Sequence, residues 1–522
     1  MRPRPAALNR ASLSTFDGVP VCPVRLLLGI DIGTQGTKTA LYAEDGACLA
    51  ERFCASQPHR PASGVVEENP ETQLTSVLQT IRECLAQSRA DPAAVAGLAI
   101  VGQMAGVIGI GADGRAVTPY DSWLDTRCGA YVEKMRALAG DEVLAKTGNA
   151  PSFNHGPKKL WWKHERPADY ARVRAFVQPA AYIAMRLCNL DAARAFIDYT
   201  YLHFSGFADN RRLAWDEGLC RSFEIDPAKL PAIVAPHSMV GHVSDLMARE
   251  CGLRADTPVV AGCGDTAASF LACGATDEGV CVDVAGTASV FAATTRKFVP
   301  DTKSHTLGCG RSVLAGWWHP YAYVNGGGQN LEWFRRAILG EQRTLDELGA
   351  EASDDSHDEG LPFFVPHLGG RVSPAWPGLR GSWVGLSWDA SVGTMFRAML
   401  EGVALEYALY QRALRLLLPR FELREVRVTG GGERSPVWNQ LKADRLQARV
   451  VGLTRCGGAP MGAALLAGYG TGVFPDLAEV AKKWIELGRA FEPDPAKAAL
   501  SEHRIQRYAA LLDKLHAWTV AP

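Results

Sequence analysis

The stretch Leu26-Leu-Leu-Gly-Ile-Asp-Ile-Gly-Thr-Gln-Gly-Thr-Lys38 is an apolar run that ends in a short turn of glycine and threonine. The run predicts a buried strand, and the second apolar run after Lys38 predicts a hairpin. Glycines let such a turn approach a ligand, and its N–H groups form an anion-binding concavity. Asp31 interrupts the run beside the turn, where a carboxylate could hold a hydrated Mg²⁺. The stretch predicts either a phosphate-binding hairpin of an ATP-using enzyme or an ordinary hairpin whose turn needs glycine.

A second stretch, Val280-Cys-Val-Asp-Val-Ala-Gly-Thr-Ala-Ser-Val-Phe291, repeats this design. It has an apolar strand that contains Asp283, a Gly286-Thr287 turn and a returning apolar strand. One supersecondary unit in each half of the chain indicates a duplicated domain. Two such hairpins that face each other could clamp one triphosphate across a cleft between the halves.

Composition limits the classes of function. The 522 residues allow two to four domains, and 47% apolar with 21% charged residues is ordinary for a globular protein. A formal net charge of −1 gives no electrostatic footprint for nucleic acid or anionic membrane, and no apolar run is as long as a membrane span. The thirteen cysteines include no C-x-x-C pair, which predicts free thiols in a reducing cytoplasm. Residues 1–24 contain no signal-like apolar segment and are expected to be a disordered extension.

Three further stretches have both a structural and a functional interpretation. In Gly262-Cys-Gly-Asp265 the carboxylate follows an apolar strand, as a catalytic group or as a helix N-cap. Trp123-Leu-Asp-Thr-Arg127 could be a surface salt bridge beside a buried tryptophan. Gly109-Ile-Gly-Ala-Asp-Gly114 matches G-x-G-x-x-G, but Pro119 opposes the helix that a dinucleotide site needs, so a tight turn is the better interpretation.

Two glycine-rich stretches open helices in the second half of the chain. The first is Asn325-Gly-Gly-Gly-Gln329, and the second is Thr429-Gly-Gly-Gly432. After the second, Ser435 is expected to cap a helix whose first residue is Pro436. Glycine in these turns lets the backbone lie flat against an adenosine or a phosphate, and a tight strand-to-helix turn is the alternative.

Together these residues resemble the FGGY carbohydrate kinase family, in particular its xylulokinase-like branch. The resemblance covers nearly the whole chain from about Leu26. The motifs that carry it, in chain order, are Gly29-Ile-Asp-Ile-Gly-Thr34, Gly64-Val-Val-Glu67, Gly102-Gln-Met104, Trp123-x-Asp-x-Arg127, Gly262-Cys-Gly-Asp265, Gly286-Thr287 and Gly430-Gly-Gly-Glu-Arg-Ser-Pro436.

The resemblance implies an α/β fold with two actin-like, ribonuclease-H-like domains around an ATP cleft, at residues 25–262 and 263–522. It implies an ATP-dependent kinase in which Asp265 is the general base and Asp31 lies near Mg²⁺. The expected ATP-binding residues are Gly33, Thr34, Thr37, Lys38, Gly286, Thr287, Gly328, Gly431 and Ser435. The expected sugar-binding residues are Gln103, Met104, Ala105, Asp265 and Thr266.

The predicted acceptor is a small sugar, a ketopentose such as xylulose. Ribulose, gluconate, a hexulose and glycerol are alternatives, and an actin- or chaperone-like ATPase is the alternative from another class. The chain departs from the usual xylulokinase pattern, because Ala105 replaces a histidine and Thr266 replaces an asparagine. These departures predict a shifted sugar preference. No nucleic-acid or membrane partner is expected, and a homodimer is left open.

Overall fold

The computed structural model describes residues 25–353 and 358–520. The extension expected at residues 1–24 therefore lies outside the described residues. Two large sheets organise the chain, and each of them contains one of the two glycine-threonine hairpins at its centre.

The N-terminal sheet has six strands. Its two hairpin strands are antiparallel, and the strand Leu26–Ile32 pairs in parallel with Val95–Gly102 on its other side. The strands in spatial order are Met239–His242, Pro258–Val260, Val95–Gly102, Leu26–Ile32, Gly36–Ala43 and Cys48–Ala55.

The C-terminal sheet repeats this arrangement with seven strands. The strand Val280–Ala285 pairs antiparallel with Ser289–Ala293 and in parallel with Glu425–Thr429. Successive antiparallel strands, three in the N-terminal sheet and four in the C-terminal sheet, are followed by two parallel strands, which confirms the duplication that the two hairpins predict. The strands in spatial order are Gly308–Arg311, Trp318–Val324, Ser289–Ala293, Val280–Ala285, Glu425–Thr429, Arg449–Arg455 and Glu486–Phe491.

Twelve short strands of the described residues form two-stranded sheets. In the first half of the chain the pairs are Glu67–Glu68 with Tyr120–Asp121, Ile108–Ile110 with Ala175–Val177, Phe196–Asp198 with Ala232–Val234, and Ala208–Asp209 with Ala214–Trp215. In the second half they are Phe363–Val365 with Ser382–Val384 and Arg371–Val372 with Ala375–Trp376.

The helices begin where the sequence provides caps. In the first helix, Asn69 accepts a hydrogen bond from the backbone N–H of Glu71, and Pro70 is the first helical residue. Ser435 caps the helix that starts at Pro436, as predicted. The α-helices of the described residues are Pro70–Ser88, Gly129–Thr147, His155–Glu165, Pro167–Arg172, Pro179–Leu187, Glu217–Ser222, Asp245–Cys251, Asp265–Ala272, Gly327–Trp333, Leu345–Glu351, Val392–Leu417, Pro436–Leu446, Gly458–Gly470, Leu477–Trp484 and Ala498–Val520.

Helices cover both faces of each sheet. The helices Asp265–Ala272 and Gly458–Gly470 lie between the two sheets, where Leu27 and Val101 of the N-terminal sheet pack with Ala268 and Leu465. The outer face of the N-terminal sheet packs against Pro70–Ser88 and Pro179–Leu187, and the outer face of the C-terminal sheet packs against Val392–Leu417 and Pro436–Leu446. The predicted domain boundary after residue 262 falls just before the first of the two central helices.

Glycine allows the closest approach between the two halves. A Cβ at Gly29 would lie 1.8 Å from the carbonyl oxygen of Pro460 in the other half. Within the C-terminal half, a Cβ at Gly462 would lie 2.2 Å from the carbonyl oxygen of Ala268. The helix Gly458–Gly470 therefore packs backbone to backbone on the N-terminal sheet, although it belongs to the last part of the chain. Among the described residues, no helix is long and apolar enough to cross a membrane.

Candidate active site

A cavity of about 450 Å³ lies between the two sheets. The first hairpin, the second hairpin, the start of the helix Asp265–Ala272 and the loop before the helix Gly458–Gly470 all contribute to its walls. The side chains and backbone around it belong to Asp31, Lys38, Glu51, Asp265, Thr266, Ser269, Val284, Val290, Cys456, Gly457, Gly458, Ala459 and Pro460. Asp31 and Asp265, which are 234 residues apart in sequence, thus face one space.

The carboxyl group of Asp31 is not fully hydrogen-bonded. Among the described residues, its buried Oδ1 atom has no hydrogen-bond partner. Burial, and then the negative charge of Asp265, raise the pKa of Asp31 well above its ordinary value, while Lys38 opposes that rise. Lys38 lies opposite Asp31 in the hairpin register and forms an ion pair with Glu51 at 3.5 Å. An unpartnered carboxylate oxygen beside a second carboxylate is a donor set that suits Mg²⁺, so the residues present fit this ion.

Asp265 is the first residue of the helix Asp265–Ala272, and Gly264 occupies the N-cap position. The helix-cap interpretation of Asp265 therefore does not describe its place in the structure. Its Oδ1 atom accepts hydrogen bonds from the backbone N–H (2.6 Å) and the hydroxyl (3.1 Å) of Thr266. Burial raises the pKa of Asp265 to about 6, and the two hydrogen bonds from Thr266 oppose that rise. The carboxylate therefore has the basicity of a proton acceptor near neutral pH.

The strand end at Gly102-Gln103-Met104 lies beside Asp265. The backbone N–H of Gly102 donates to the carbonyl oxygen of Cys263 (3.3 Å), and a Cβ at Gly264 would lie 1.8 Å from the sulfur of Met104. A side chain at position 264 would therefore displace the Met104 side chain. Met104 thus packs at the start of the helix that begins with Asp265, and its contact with a sugar stays a prediction.

Gln103 has a different position from the one expected. Its side chain is buried, and its amide nitrogen donates to the carbonyl oxygen of Gly33 (3.3 Å) and to Glu68 Oε1 (3.4 Å). Its amide oxygen accepts from the Tyr120 hydroxyl at 3.3 Å. The side chain therefore holds the first hairpin by its hydrogen bond to Gly33, and it is not among the residues that line the cavity.

Thr34, in the turn of the first hairpin, and Thr37, in its second strand, have different environments. Thr37 is buried, and its hydroxyl is 2.6 Å from that of Ser76 on the outer side of the sheet. The expected contact of the Thr37 side chain with ATP is therefore not supported. Thr34 is partly exposed and accepts a hydrogen bond from the indole nitrogen of Trp123 at 2.8 Å. Lys38, next to Thr37, lines the cavity.

The glycine-rich turns of the C-terminal half meet at the second hairpin. The N–H groups of Gly328 and Gln329 donate to the carbonyl oxygens of Gly286 (2.9 Å) and Thr287 (3.1 Å). A Cβ at Gly430 would lie 2.9 Å from the carbonyl oxygen of Ala285, so the glycine turn that begins at Gly430 also lies against the second hairpin. The structure therefore brings Gly286, Thr287 and Gly328 together, with Gly431 exposed in the adjoining turn.

Ser435 follows Gly431 by four residues in the chain and precedes the next helix. Its hydroxyl oxygen accepts a hydrogen bond from the N–H of Trp438 at 3.3 Å and caps the helix Pro436–Leu446. The side chain has the capping role that the sequence predicts, and a contact with a nucleotide stays a prediction.

The aspartates of the two hairpins have opposite environments. Asp283 is buried away from the cavity and is paired with the ammonium of Lys442 and the hydroxyl of Tyr407. Asp31 precedes the turn glycine by two residues and Asp283 by three, and a shift of one residue places a side chain on the other face of a strand. Val284 takes the position on the cavity wall, so only the first hairpin presents a carboxylate there.

The motif Trp123-x-Asp-x-Arg127 differs from its structural interpretation, which expects a surface salt bridge beside a buried tryptophan. Asp125 is buried, and Arg127 pairs with it at 2.6 Å and with Glu67 at 2.7 Å. The tryptophan is the exposed member and reaches Thr34. The ion pair therefore holds the loop that presents Trp123 to the first hairpin.

Sequence reasoning did not identify the loop Cys456-Gly457-Gly458 or Ser269 as cavity residues. The loop follows the strand Arg449–Arg455 and precedes a helix. Its paired glycines after an apolar strand are the same signal that marked the other turns.

Known proteins resemble this chain in sequence and in fold. Sequence models of the FGGY family of carbohydrate kinases match residues 26–272 (N-terminal domain) and 281–471 (C-terminal domain). A xylulose kinase from Bacillus subtilis is 26% identical over 500 residues, 94% of this chain and 96% of that protein. A gluconokinase from the same species is 28% identical over 493 residues, 92% of this chain and 93% of that protein. The solved xylulose kinase from Rhodospirillum rubrum shares the fold, with a TM-score of 0.86 at 24% identity over 95% of this chain and 100% of that chain.

Proposed function

The chain belongs to the FGGY family of carbohydrate kinases, and on that premise we propose that it transfers the terminal phosphate of ATP to a hydroxyl group of a ketopentose such as xylulose. The observation that carries this proposal is the pair Asp31 and Asp265, which face one cavity between two glycine-threonine hairpins. One carboxylate is available to accept a proton, and the other to hold a cation.

The proposed chemistry begins with the acceptor hydroxyl beside Asp265. A hydroxyl is a poor nucleophile unless its proton is accepted as the bond to phosphorus forms, and Asp265 is the group that accepts it. The backbone N–H groups of the two hairpins and Lys38 orient and neutralise the phosphates. Asp31 is the residue that would hold Mg²⁺, which supplies neutralisation of phosphate charge when it is bound.

A neutral sugar fits the charges of this region better than an aldonate. The cavity wall carries the carboxyl groups of Asp31, Glu51 and Asp265, and its cation Lys38 forms an ion pair with Glu51 at 3.5 Å. A sugar carboxylate would therefore have to compete with Glu51 for Lys38. Gluconate is nevertheless the second candidate, because the gluconokinase relative is as similar as the xylulose kinase.

The deciding experiment measures ATP turnover with purified protein and a panel of xylulose, ribulose, gluconate, a hexulose and glycerol. A sugar kinase requires the acceptor, so turnover without sugar should be at least about tenfold slower, because water is a poor substitute for a positioned hydroxyl. Turnover that is independent of every sugar would support the actin- or chaperone-like ATPase and contradict the proposal.

We expect Asp31→Asn to raise the Mg²⁺ concentration needed for half-maximal rate by roughly tenfold or more, because it removes the cation-binding carboxylate. The Kd for sugar without nucleotide should stay within about twofold. Initial rates over a Mg²⁺ series and sugar calorimetry measure the two effects. Asp45→Asn, on the exposed turn after the first hairpin, is the control. A lost sugar affinity with unchanged Mg²⁺ dependence would contradict this role.

We expect the wild-type protein to show no large preference for D-xylulose over other ketoses. Ala105 lacks the imidazole of the usual pattern, and the Thr266 hydroxyl is engaged with Asp265, so two polar contacts that discriminate between sugars are missing. The double variant Ala105→His with Thr266→Asn should raise kcat/KM for D-xylulose by about tenfold or more. A wild-type kcat/KM for D-xylulose far above that of every other sugar would contradict this expectation.

A further inference from the structure

Two cysteine thiols meet at the edge of the cavity. The sulfur atoms of Cys273 and Cys456 are 3.7 Å apart, although the residues are 183 positions apart in sequence. Cys273 directly follows the helix Asp265–Ala272, and Cys456 directly follows the strand Arg449–Arg455. The pair therefore joins the helix that begins with Asp265 to the loop that forms another part of the cavity wall.

The two thiols have unequal environments. Cys456 is partly exposed and lines the cavity, whereas Cys273 is buried. The hydrogen bond from the Cys273 thiol lowers the pKa of Cys456 to about 7, and the same contact with burial raises the pKa of Cys273 well above its ordinary value. An accessible thiol with a lowered pKa beside a buried thiol is the arrangement of an attacking and a resolving cysteine.

We propose that Cys456 and Cys273 form a reversible disulfide by exchange with a low-molecular-weight disulfide, and that this oxidation inhibits the enzyme. The Cys456 thiolate attacks one sulfur of the small disulfide, and the other sulfur leaves as a thiolate that takes up a proton. Cys273 then loses its proton and its thiolate attacks the Cys456 sulfur of the mixed disulfide, and the second small thiol leaves as a thiolate that takes up that proton. The pair loses two electrons and two protons, and one small disulfide becomes two thiols.

Both stages of this exchange alter the cavity. In the mixed disulfide the small thiol projects from Cys456 into the space that Asp31 and Asp265 face. In the internal disulfide the sulfurs are bonded at about 2.0 Å, so the loop at Gly457 and Gly458 has to move towards the end of the helix Asp265–Ala272. The glycine at 458 has a φ of +61° and the loop has no side-chain bulk, which permits that movement.

The other described cysteines provide a control. The twelve described cysteines, the pair included, are free, and Cys48 is exposed on the edge strand Cys48–Ala55 and does not line the cavity. Cys48→Ser therefore removes an accessible thiol without affecting the pair. Cys273→Ser and Cys456→Ser each remove one member of the pair, and Cys456→Ala is the second variant if the serine destabilises the loop.

The test treats wild type and the variants with oxidised glutathione and maps cysteine peptides by mass spectrometry without reduction. We expect a Cys273–Cys456 cross-link with the loss of two hydrogens in wild type and Cys48→Ser, at a rate that ATP with Mg²⁺ slows at least about fivefold. Kinase activity should fall at least about tenfold on oxidation and return with dithiothreitol. Cys273→Ser should stop at the mixed disulfide on Cys456.

Two results would overturn the proposal: no cross-link between these cysteines in wild type, or an oxidative loss of activity of the same size in both Cys456 variants. The cross-link is measured without turnover, so it remains a test of the thiol pair even if the sugar kinase assay fails. A cross-link that forms without a change in activity would contradict the inhibitory role.

Discussion

Asp265→Asn is expected to lower kcat for sugar phosphorylation by roughly 10²–10⁴-fold, because an amide cannot accept the proton of the sugar hydroxyl. The variant should remain folded and bind ATP. Gly264 is the N-cap of the helix, and an asparagine at position 265 keeps the hydrogen bonds from Thr266 to a side-chain oxygen. Single-turnover rates and nucleotide titrations distinguish lost chemistry from lost binding.

Asp245→Asn is the matched control for this substitution. Asp245 is also the first residue of a helix, Asp245–Cys251, and it lies outside the cavity. Its replacement should leave kcat unchanged within about twofold. A folded Asp265→Asn protein with near-normal kcat would remove Asp265 from the mechanism.

Lys442→Met is expected to lower the free energy of unfolding by about 3–5 kcal/mol, because it leaves the carboxylate of Asp283 buried without its cation. Both side chains are inaccessible to solvent, and Tyr407 is the other partner of the carboxylate. Urea denaturation followed by tryptophan fluorescence measures the loss.

The double variant Asp283→Asn with Lys442→Met removes both charges and should recover at least half of that loss. Lys482→Met is the matched control, because Lys482 pairs with Asp277 on the surface and an exposed pair contributes about 1 kcal/mol or less. Equal losses in the free energy of unfolding for Lys442→Met and Lys482→Met would show that burial does not determine how strongly the pair of Lys442 and Asp283 affects stability.

The resemblance to the FGGY family predicted the domain fold, and local sequence patterns predicted individual elements within it. The expected two actin-like, ribonuclease-H-like domains are confirmed by the repeated sheet order and by the structural similarity to the FGGY kinases. Hairpins, caps and glycine turns depend on residues close together in sequence, and these were the elements that the sequence located. The strand Leu26–Ile32 and the capped helix Pro436–Leu446 are examples.

Contacts between distant residues were harder to predict. Asp31 and Asp283 occupy similar motifs, and the difference between them depends on Lys442, which is 159 residues from Asp283. The one-residue difference in spacing was visible in the sequence, but its meaning requires knowing which face of the sheet is covered. Gln103 likewise fixes the hairpin because Glu68 and Tyr120 surround it, which no local pattern reveals.

The packing of the helix Gly458–Gly470 on the strand Leu26–Ile32 has a consequence for synthesis on the ribosome. When the last strand of the N-terminal sheet has emerged, the helix Gly458–Gly470, which will cover much of its inner face, has not yet been made. Leu27 and Val101 then remain accessible to water or to chaperones while roughly two hundred further residues are added at a rate of about 5–20 per second. The N-terminal half is therefore expected to reach its final packing only after nearly the whole chain has been translated, and a fragment that ends near residue 272 is expected to aggregate.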